Sequence, residues 1–338
     1  MSSSIKLKTI AALSHVSISS VSRVLSGKGY VSPEAREKVL NALAELTAQD
    51  TSSPVQFPRT GLSVGLFLQR ESYVDRDPLT SVDVMTFIKS FENRGHGVTL
   101  YDLDSDQDRD RALADHGRGK LDAAIVNDDD TNDTAGTFLQ GLSVPWIATN
   151  GYTTRTSCHV IDNDNAGGSR ALVNHLVDQG HVRIGIITGQ PGRWVSENRL
   201  QACREVFQQR GLTWDESRVE PGYFKLNGGF QACQALLDRC PDLSAIYAFN
   251  DLSAIGAIRA LKDRNLRVPG DLAVVGFDDM EIATFSDPPL TTVSRFHPDL
   301  NHFLVQGVED LVTYSGLASL RILTETKLVI RGSSVSAV

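Results

Sequence analysis

Apolar residues between Leu7 and Leu46 recur at helical spacing in three short pieces: Leu7, Ile10 and Ala11; Val21, Val24 and Leu25; Ala35, Val39, Leu43 and Leu46. The spacing predicts three short helices. Ser17 stands where it can cap the second, and Ser32, Pro33 and Glu34 supply a cap, a first-turn proline and an early acid for the third. Residues 47–60, TAQDTSSPVQFPRT, have no period and read as a linker. Beyond it, β-rich runs at 63–68, 98–103, 123–127, 146–149, 182–188, 245–249 and 273–277 alternate with helical stretches at 85–93, 168–179, 197–209, 228–238 and 252–263. Such alternation predicts parallel sheets built from right-handed crossovers.

The chain has 338 residues, more than one hydrophobic core usually serves, so the body is expected to divide into two α/β lobes. A composition of 41% hydrophobic and 22% charged residues is that of an ordinary globular protein. The opening residues hold no apolar stretch of signal-peptide length, and no run of about twenty apolar residues occurs. A cytoplasmic, membrane-free location is expected. Cys158, Cys203, Cys233 and Cys240 form no CxxC or CxxH pattern, so no metal or redox site is expected and no cofactor is implied. Net charge is −8, but residues 1–46 carry +3 and the remainder −11. A basic head on an acidic body can present one face to phosphates.

Residues 7–25, LKTIAALSHVSISSVSRVL, have the helix, tight turn and second helix of a DNA-reading helix-turn-helix. Ala11 allows the helices to cross, Val16 plugs the turn, and Val21 and Val24 pin the second helix. Ile18, Ser19, Ser20, Ser22 and Arg23 are left facing outward. Among body strands, 123–127 runs into Asn127 and Asp128, 245–249 into Asn250 and Asp251, and 273–277 into Asp278 and Asp279. Ligands of open parallel sheets gather at such carboxyl ends, although Asx residues there also simply cap the next helix.

The stretch VSISSVSRVLSGKGYVSPEAREKVLNALAEL closely resembles the head of the lactose and galactose repressor family. Similarity continues in DNDNAGG followed by HLVDQGHVRIGIITG, in SENRLQACREVF, AIYAFNDLSAIGAIRAL and VPGDLAVVGFDD, and in DPPLTTV and LVIRGSS. The resemblance implies an α/β protein with a three-helix helix-turn-helix head at 1–46, a hinge at 47–61, and a two-lobed periplasmic-binding-protein-like body at 62–338. The lobes are expected at about 62–161 with 292–319 and about 162–291 with 320–338. It further implies a non-enzymatic transcriptional regulator, a repressor of sequence-specific type, working as a homodimer on a pseudo-palindromic DNA operator and answering a small polar effector, sugar or sugar derivative first.

By position in the motif, Ile18 and Ser19 fall where the family reads base edges, and Arg23 matches its base-contacting arginine; a guanidinium forks guanine O6 and N7. Ile18 suits a thymine methyl. Lys6, Lys8 and Lys28 suit phosphates, and Ser17, Ser20 and Ser22 complete the DNA-facing set. His15 stands where the family has glycine, so a positive φ is expected there. Pro54 and Pro58 oppose a regular hinge helix, leaving Phe57 either as a minor-groove wedge or as a linker aromatic. For the effector the matching positions are Asp164, Arg199, Asn250, Asp251, Asp278 and Arg295, joined by the strand-end residues Gln69 and Asn127. Trp194 and Phe249, like Trp146 and Phe277, are either stacking faces or core. Arg199 suits two sugar oxygens or, equally, a phosphate or carboxylate.

Two rival functions are disfavoured by the sequence. A secreted solute-binding protein shares the body but needs an export signal in place of the head. An enzyme on this scaffold needs a catalytic constellation, and neither GxGxxG nor a P-loop occurs. GLSVG at 61–65 matches a nucleophile elbow by letter, but Ser63 opens a strand rather than a strand-to-helix turn.

Overall fold

A computed structural model describes residues 11, 14–17, 19–21, 32, 35, 38–39, 61–68, 78–127, 134–149, 159–295, 299–314 and 319–335. The chain divides into two units, Met1–Thr60 and Gly61–Val338. In the first, Ser17 Oγ accepts from the Ser20 amide at 3.2 Å and Ser32 Oγ from the Ala35 amide at 3.3 Å, the two capping bonds expected. His15 has φ +53 in the turn, as its place in the motif requires, and Val21 and Val39 are fully buried. The linker at 47–60, with Phe57, lies outside the described residues.

The body begins with β1 (Ser63–Leu68), in which Val64 and Leu66 face one side of the sheet and Phe67 the other. Ser63 is a strand residue, as expected. Then follow α1 (Pro78–Glu92), β2 (Gly97–Asp102), α2 (Asp106–Gly117), β3 (Ala123–Asn127), α3 (Thr134–Leu142), β4 (Trp146–Thr149) and β5 (His159–Asn163). The chain next forms α4 (Asn165–Asp178), β6 (Ile184–Thr188), α5 (Trp194–Gln209), β7 (Val219–Pro221), α6 (Leu226–Arg239), β8 (Ala245–Ala248), α7 (Asp251–Asp263), β9 (Ala273–Val275) and α8 (Glu281–Phe285). It closes with β10 (Thr292–Ser294), α9 (Leu300–Thr313), β11 (Arg321–Thr324) and β12 (Lys327–Val329).

Two parallel sheets result, ordered β11-β5-β4-β3-β1-β2 and β7-β6-β8-β9. Parallel sheets bury both faces. In the first lobe, Phe87, Phe91, Leu304, Val305, Val308 and Leu311 of α1 and α9 cover one face, and Ala112, Leu139 and Leu142 of α2 and α3 the other. In the second, α4 and α5 cover one face and α6 and α7 the other. Helices α6 and α7 pack backbone to backbone: a Cβ on Gly229 would fall 2.2 Å from the Ser253 carbonyl oxygen, and one on Gly256 2.0 Å from that of Leu226.

The lobe limits differ from expectation in the last crossings. β11 pairs in parallel with β5, so residues 321–324 complete the first sheet rather than belonging to the second lobe. β10 instead joins the second lobe, through parallel bridges Val275↔Thr291 and Asp278↔Ser294, and pairs antiparallel with β12. Strands of three or four residues carry too little alternation to reveal their sheet. The chain therefore crosses between lobes after Asn163, after Ser294 and after Thr324.

Candidate functional site

The carboxyl ends of β8 and β9 lie side by side, and each continues into an Asx pair. After β8, Asn250 is the N-cap of α7: its Oδ1 accepts from the Ser253 amide at 3.0 Å, and its Nδ2 donates to the Phe224 carbonyl at 2.9 Å. Asp251 is 0% exposed. Its carboxylate accepts from the Thr292 hydroxyl at 2.5 Å and the Met280 amide at 2.7 Å. Burial, then the nearby Asp278 carboxylate, pushes its pKa up to about 8. Asp251 thus departs from the expected ligand-facing carboxylate, and Phe249, also 0% exposed, takes the core alternative of the two open to it. One joins α7 to β10 and the other packs on Tyr247 in the core.

After β9 the arrangement is different. Asp278 and Asp279 both have positive φ, +117 and +58, a region that side-chain-bearing residues occupy at a cost. Asp279 accepts from Arg331 Nη2 at 2.6 Å. Asp278 accepts from Arg295 Nε at 2.8 Å, lies 3.8 Å from Arg199 Nη2, and keeps 14% of its side-chain surface exposed. A carboxylate is thus presented at a strand end between two guanidinium groups.

Arg199, on α5, is 3% exposed. Its Nε and Nη2 both donate to Asn165 Oδ1, at 3.0 and 2.7 Å, and Nη1 donates to the Phe249 carbonyl. The guanidinium lies 3.5 Å from the centre of the Phe277 ring, in cation–π contact. Burial presses the Arg199 pKa down, and Asp278 is the first of the charges that oppose this. Most donors of Arg199 are therefore engaged by the protein. Asn165 and Arg331 escaped sequence reading: Asn165 hid inside DNDNAGG beside the more conspicuous Asp164, and Arg331 inside LVIRGSS.

Other expected positions are dispersed. Asp164 caps α4, accepting from the Gly167 amide at 2.7 Å. Asn127 ends β3 in the first sheet, and Trp194 opens α5, each half-buried. Gln69 lies outside the described residues. In the head, Ser17 and Ser19 are exposed and Ser20 half-buried, while Lys6, Lys8, Ile18, Ser22, Arg23 and Lys28 lie outside the described residues. Among the described residues, no helix is long and apolar enough to cross a membrane and no cluster of His, Cys, Asp or Glu is arranged to hold a metal ion.

Comparison with known proteins places this geometry. Residues 6–47 match the profile of bacterial regulatory proteins of the lacI family, and residues 173–334 that of a periplasmic binding protein-like domain. The HTH-type transcriptional regulator reg1 of Streptomyces lividans is 30% identical over 345 residues, which span 98% of this chain and 97% of that protein. The chain belongs to the lacI family of bacterial regulatory proteins. As a lacI-family member it is a DNA-binding transcriptional regulator rather than an enzyme, in agreement with the resemblance read from its motifs. The ribose operon repressor of Escherichia coli K12 is 27% identical over 332 residues, 97% of this chain and 99% of that one. The solved complex of the transcriptional regulator CelR with cellobiose superposes with a TM-score of 0.72 at 29% identity, covering 98% of this chain and 100% of that one. Head and two-lobed body are thus common to this lacI-family chain and its relatives.

Proposed function

We propose that this regulator is a cytoplasmic repressor that binds a pseudo-palindromic operator as a homodimer and has its DNA affinity set by an uncharged, hydroxyl-rich sugar at the carboxyl ends of β8 and β9. The observation that carries the proposal is Asp278, a partly exposed carboxylate 2.8 Å from Arg295 Nε and 3.8 Å from Arg199 Nη2. Carboxylates accept from vicinal hydroxyls, and a guanidinium beside them donates to the same sugar's oxygens. The engagement of Arg199 by Asn165 and the Phe249 carbonyl favours a neutral ligand over a phosphate, which needs a fork of unengaged donors. The names of two relatives, a ribose operon repressor and a regulator solved with cellobiose, point to the same ligand class. Trp194, Asn127, Gln69 and Asp164 are assigned to the border of this site, whereas Asn250, with both amide atoms engaged by the protein, supports it from within the fold.

At the head, Ile18, Ser19 and Arg23 are assigned to base edges, and Lys6, Lys8 and Lys28 to phosphates, with Ser17, Ser20 and Ser22 beside them. One head makes few base contacts, and a two-fold dimer doubles them on a palindrome. The test is thermal unfolding of the full chain with D-ribose, cellobiose and glucose 6-phosphate. A neutral sugar at about 100 times its Kd stabilises by about 2.7 kcal/mol, and the shift is expected to vanish in Asp278→Asn. A shift produced by the phosphate ester alone, or one retained in Asp278→Asn, overturns the assignment.

A further inference from the structure

Asp164 already caps α4 through its own carboxylate, so the next residue is not needed to start the helix. Asn165 is nonetheless buried, and its side chain turns away from the α4 backbone. Its Oδ1 receives two donors of Arg199, at 3.0 and 2.7 Å, and its Nδ2 donates to the Asn163 carbonyl at 3.3 Å. With Nη1 of Arg199 on the Phe249 carbonyl and the Phe277 ring stacked against the guanidinium, these contacts fix that group in plane and in rotation. Only its Asp278 side is left for a ligand.

We infer that Asn165 is the positioning residue of the effector site, holding Arg199 toward Asp278 and tying that arginine to the crossings between the lobes. The inference rests on the reading of Asp278, Arg199 and Arg295 as the effector site. From Asn165 the hydrogen bonds run on to the end of β5. Asn163 Oδ1 accepts from the Thr324 hydroxyl at 3.0 Å, at the end of β11, and the Asp164 amide donates to the Thr324 carbonyl at 3.0 Å. In the other direction Asp278 leads to Arg295, at the start of the crossing that follows β10. One polar path therefore touches all three interlobe connections, after Asn163, Ser294 and Thr324. Hinges are a few element-terminal residues, and hydrogen bonds weaken steeply with angle, so a ligand that draws on Asp278 or Arg199 biases the angle between the lobes through Asn165.

The Nε–H resonance of Arg199 in the full-length protein, assigned by its loss in Arg199→Lys, tests the positioning without any ligand. Protected Nε–H and separate, non-averaged Nη resonances are expected in the wild type. In Asn165→Ala the Nε–H should exchange ten- to a hundred-fold faster, roughly what a lost hydrogen bond to a charged group implies. Asn165→Asp, which keeps an acceptor at the same place, should restore protection. A freely rotating guanidinium in the wild type overturns the inference whether or not any variant folds. So does unchanged exchange in Asn165→Ala, or failure of the aspartate to rescue. Titration with cellobiose and D-ribose then tests the coupling. A sugar that binds the wild type should slow backbone amide exchange at residues 163–165, and in Asn165→Asp, which retains the arginine but loses the donor to Asn163, that slowing should disappear. Slowing that persists in Asn165→Asp overturns the link to the crossings. If neither sugar binds, the sugar reading fails while the Arg199 resonances still decide the positioning.

Discussion

Two turns only one strand apart, after β8 and after β9, show how the same residue types come to do different work. Asn250 and Asp251 follow β8 in extended-then-helical backbone, so their side chains fold back onto α7, β10 and the Phe224 carbonyl. Asp278 and Asp279 follow β9 with φ +117 and +58, and the left-handed backbone directs both carboxylates to arginines. The first turn is scaffold, complete without a ligand. The second concentrates charge at a partly open edge and accepts backbone strain to do so, a combination that clusters at binding sites.

The largest expected effect separates scaffold from site within one ion cluster. Arg199→Ala removes three internal hydrogen bonds, leaves Asn165 Oδ1 and the Phe249 carbonyl buried without their donor, and empties the space above Phe277. It should destabilise by about 3–5 kcal/mol in urea denaturation. Asp278→Ala leaves those three bonds in place and removes the carboxylate that disfavours an ionised Asp251, so it should cost clearly less, about 1–2 kcal/mol. Equal costs would mean that Arg199 is no more a part of the scaffold than the carboxylate of the second turn.

The division between these turns was only half legible in the sequence. Alternating apolar runs placed β1, β3 and β4 to the residue, and the two-sheet body followed from them. The strand-end Asx pairs were recognisable as candidates, but periodicity carries no φ, so Asn250–Asp251 and Asp278–Asp279 looked alike. Nor does periodicity reveal partners distant in sequence: Asp251 meets Thr292, and Asp279 meets Arg331 across 52 positions. Helices α2, α3 and α9 were not anticipated. α2 is rich in charge, its register being set by the Ser105 cap and the early Asp106 and Asp108 rather than by an apolar stripe.

A pH experiment sharpens the same contrast at intermediate magnitude. The Asp251 carboxyl is raised from 3.8 to about 8, chiefly by burial and then by the Asp278 carboxylate, with Asp279 adding to it. A raised pKa means that the folded state holds the proton more tightly, so this contribution is full below about pH 4 and is lost as pH rises toward 8. His159, His175 and His181 are lowered by burial and act oppositely, their contribution being present above about 6.5 and lost below it. Between pH 6.5 and 8 Asp251 should therefore dominate, with a slope of up to about 1.4 kcal/mol per pH unit. Asn in its place imitates the neutral acid and keeps an acceptor for the Met280 amide. Melting temperatures across this interval should fall in the wild type and stay level in Asp251→Asn. Parallel profiles would show that Asp251 is ionised throughout and the burial argument mistaken.

The smallest effect concerns another strained position, in the turn of the head, outside the effector site. His15 sits at φ +53 in the turn of the head, exposed to solvent, with Ser14 buried before it and the Ser17 cap two residues on. Left-handed backbone costs an L-residue about 1–2 kcal/mol because Cβ crowds the following carbonyl. Glycine removes that crowding but makes the unfolded chain more disordered, by about 0.4–1 kcal/mol. His15→Gly should thus stabilise the head by only about 0.5 kcal/mol, the small remainder of two opposing terms. Global unfolding of the full chain is too coarse to see this. Exchange of the Val21 amide, which donates to the Ser17 carbonyl at 2.9 Å in the helix that follows, reads the turn directly and should slow about twofold. Acceleration of that exchange would show that the imidazole contributes a favourable contact in the turn. His15 would then stand with Asp278 and Asp279, as left-handed residues kept for their side chains and not merely tolerated.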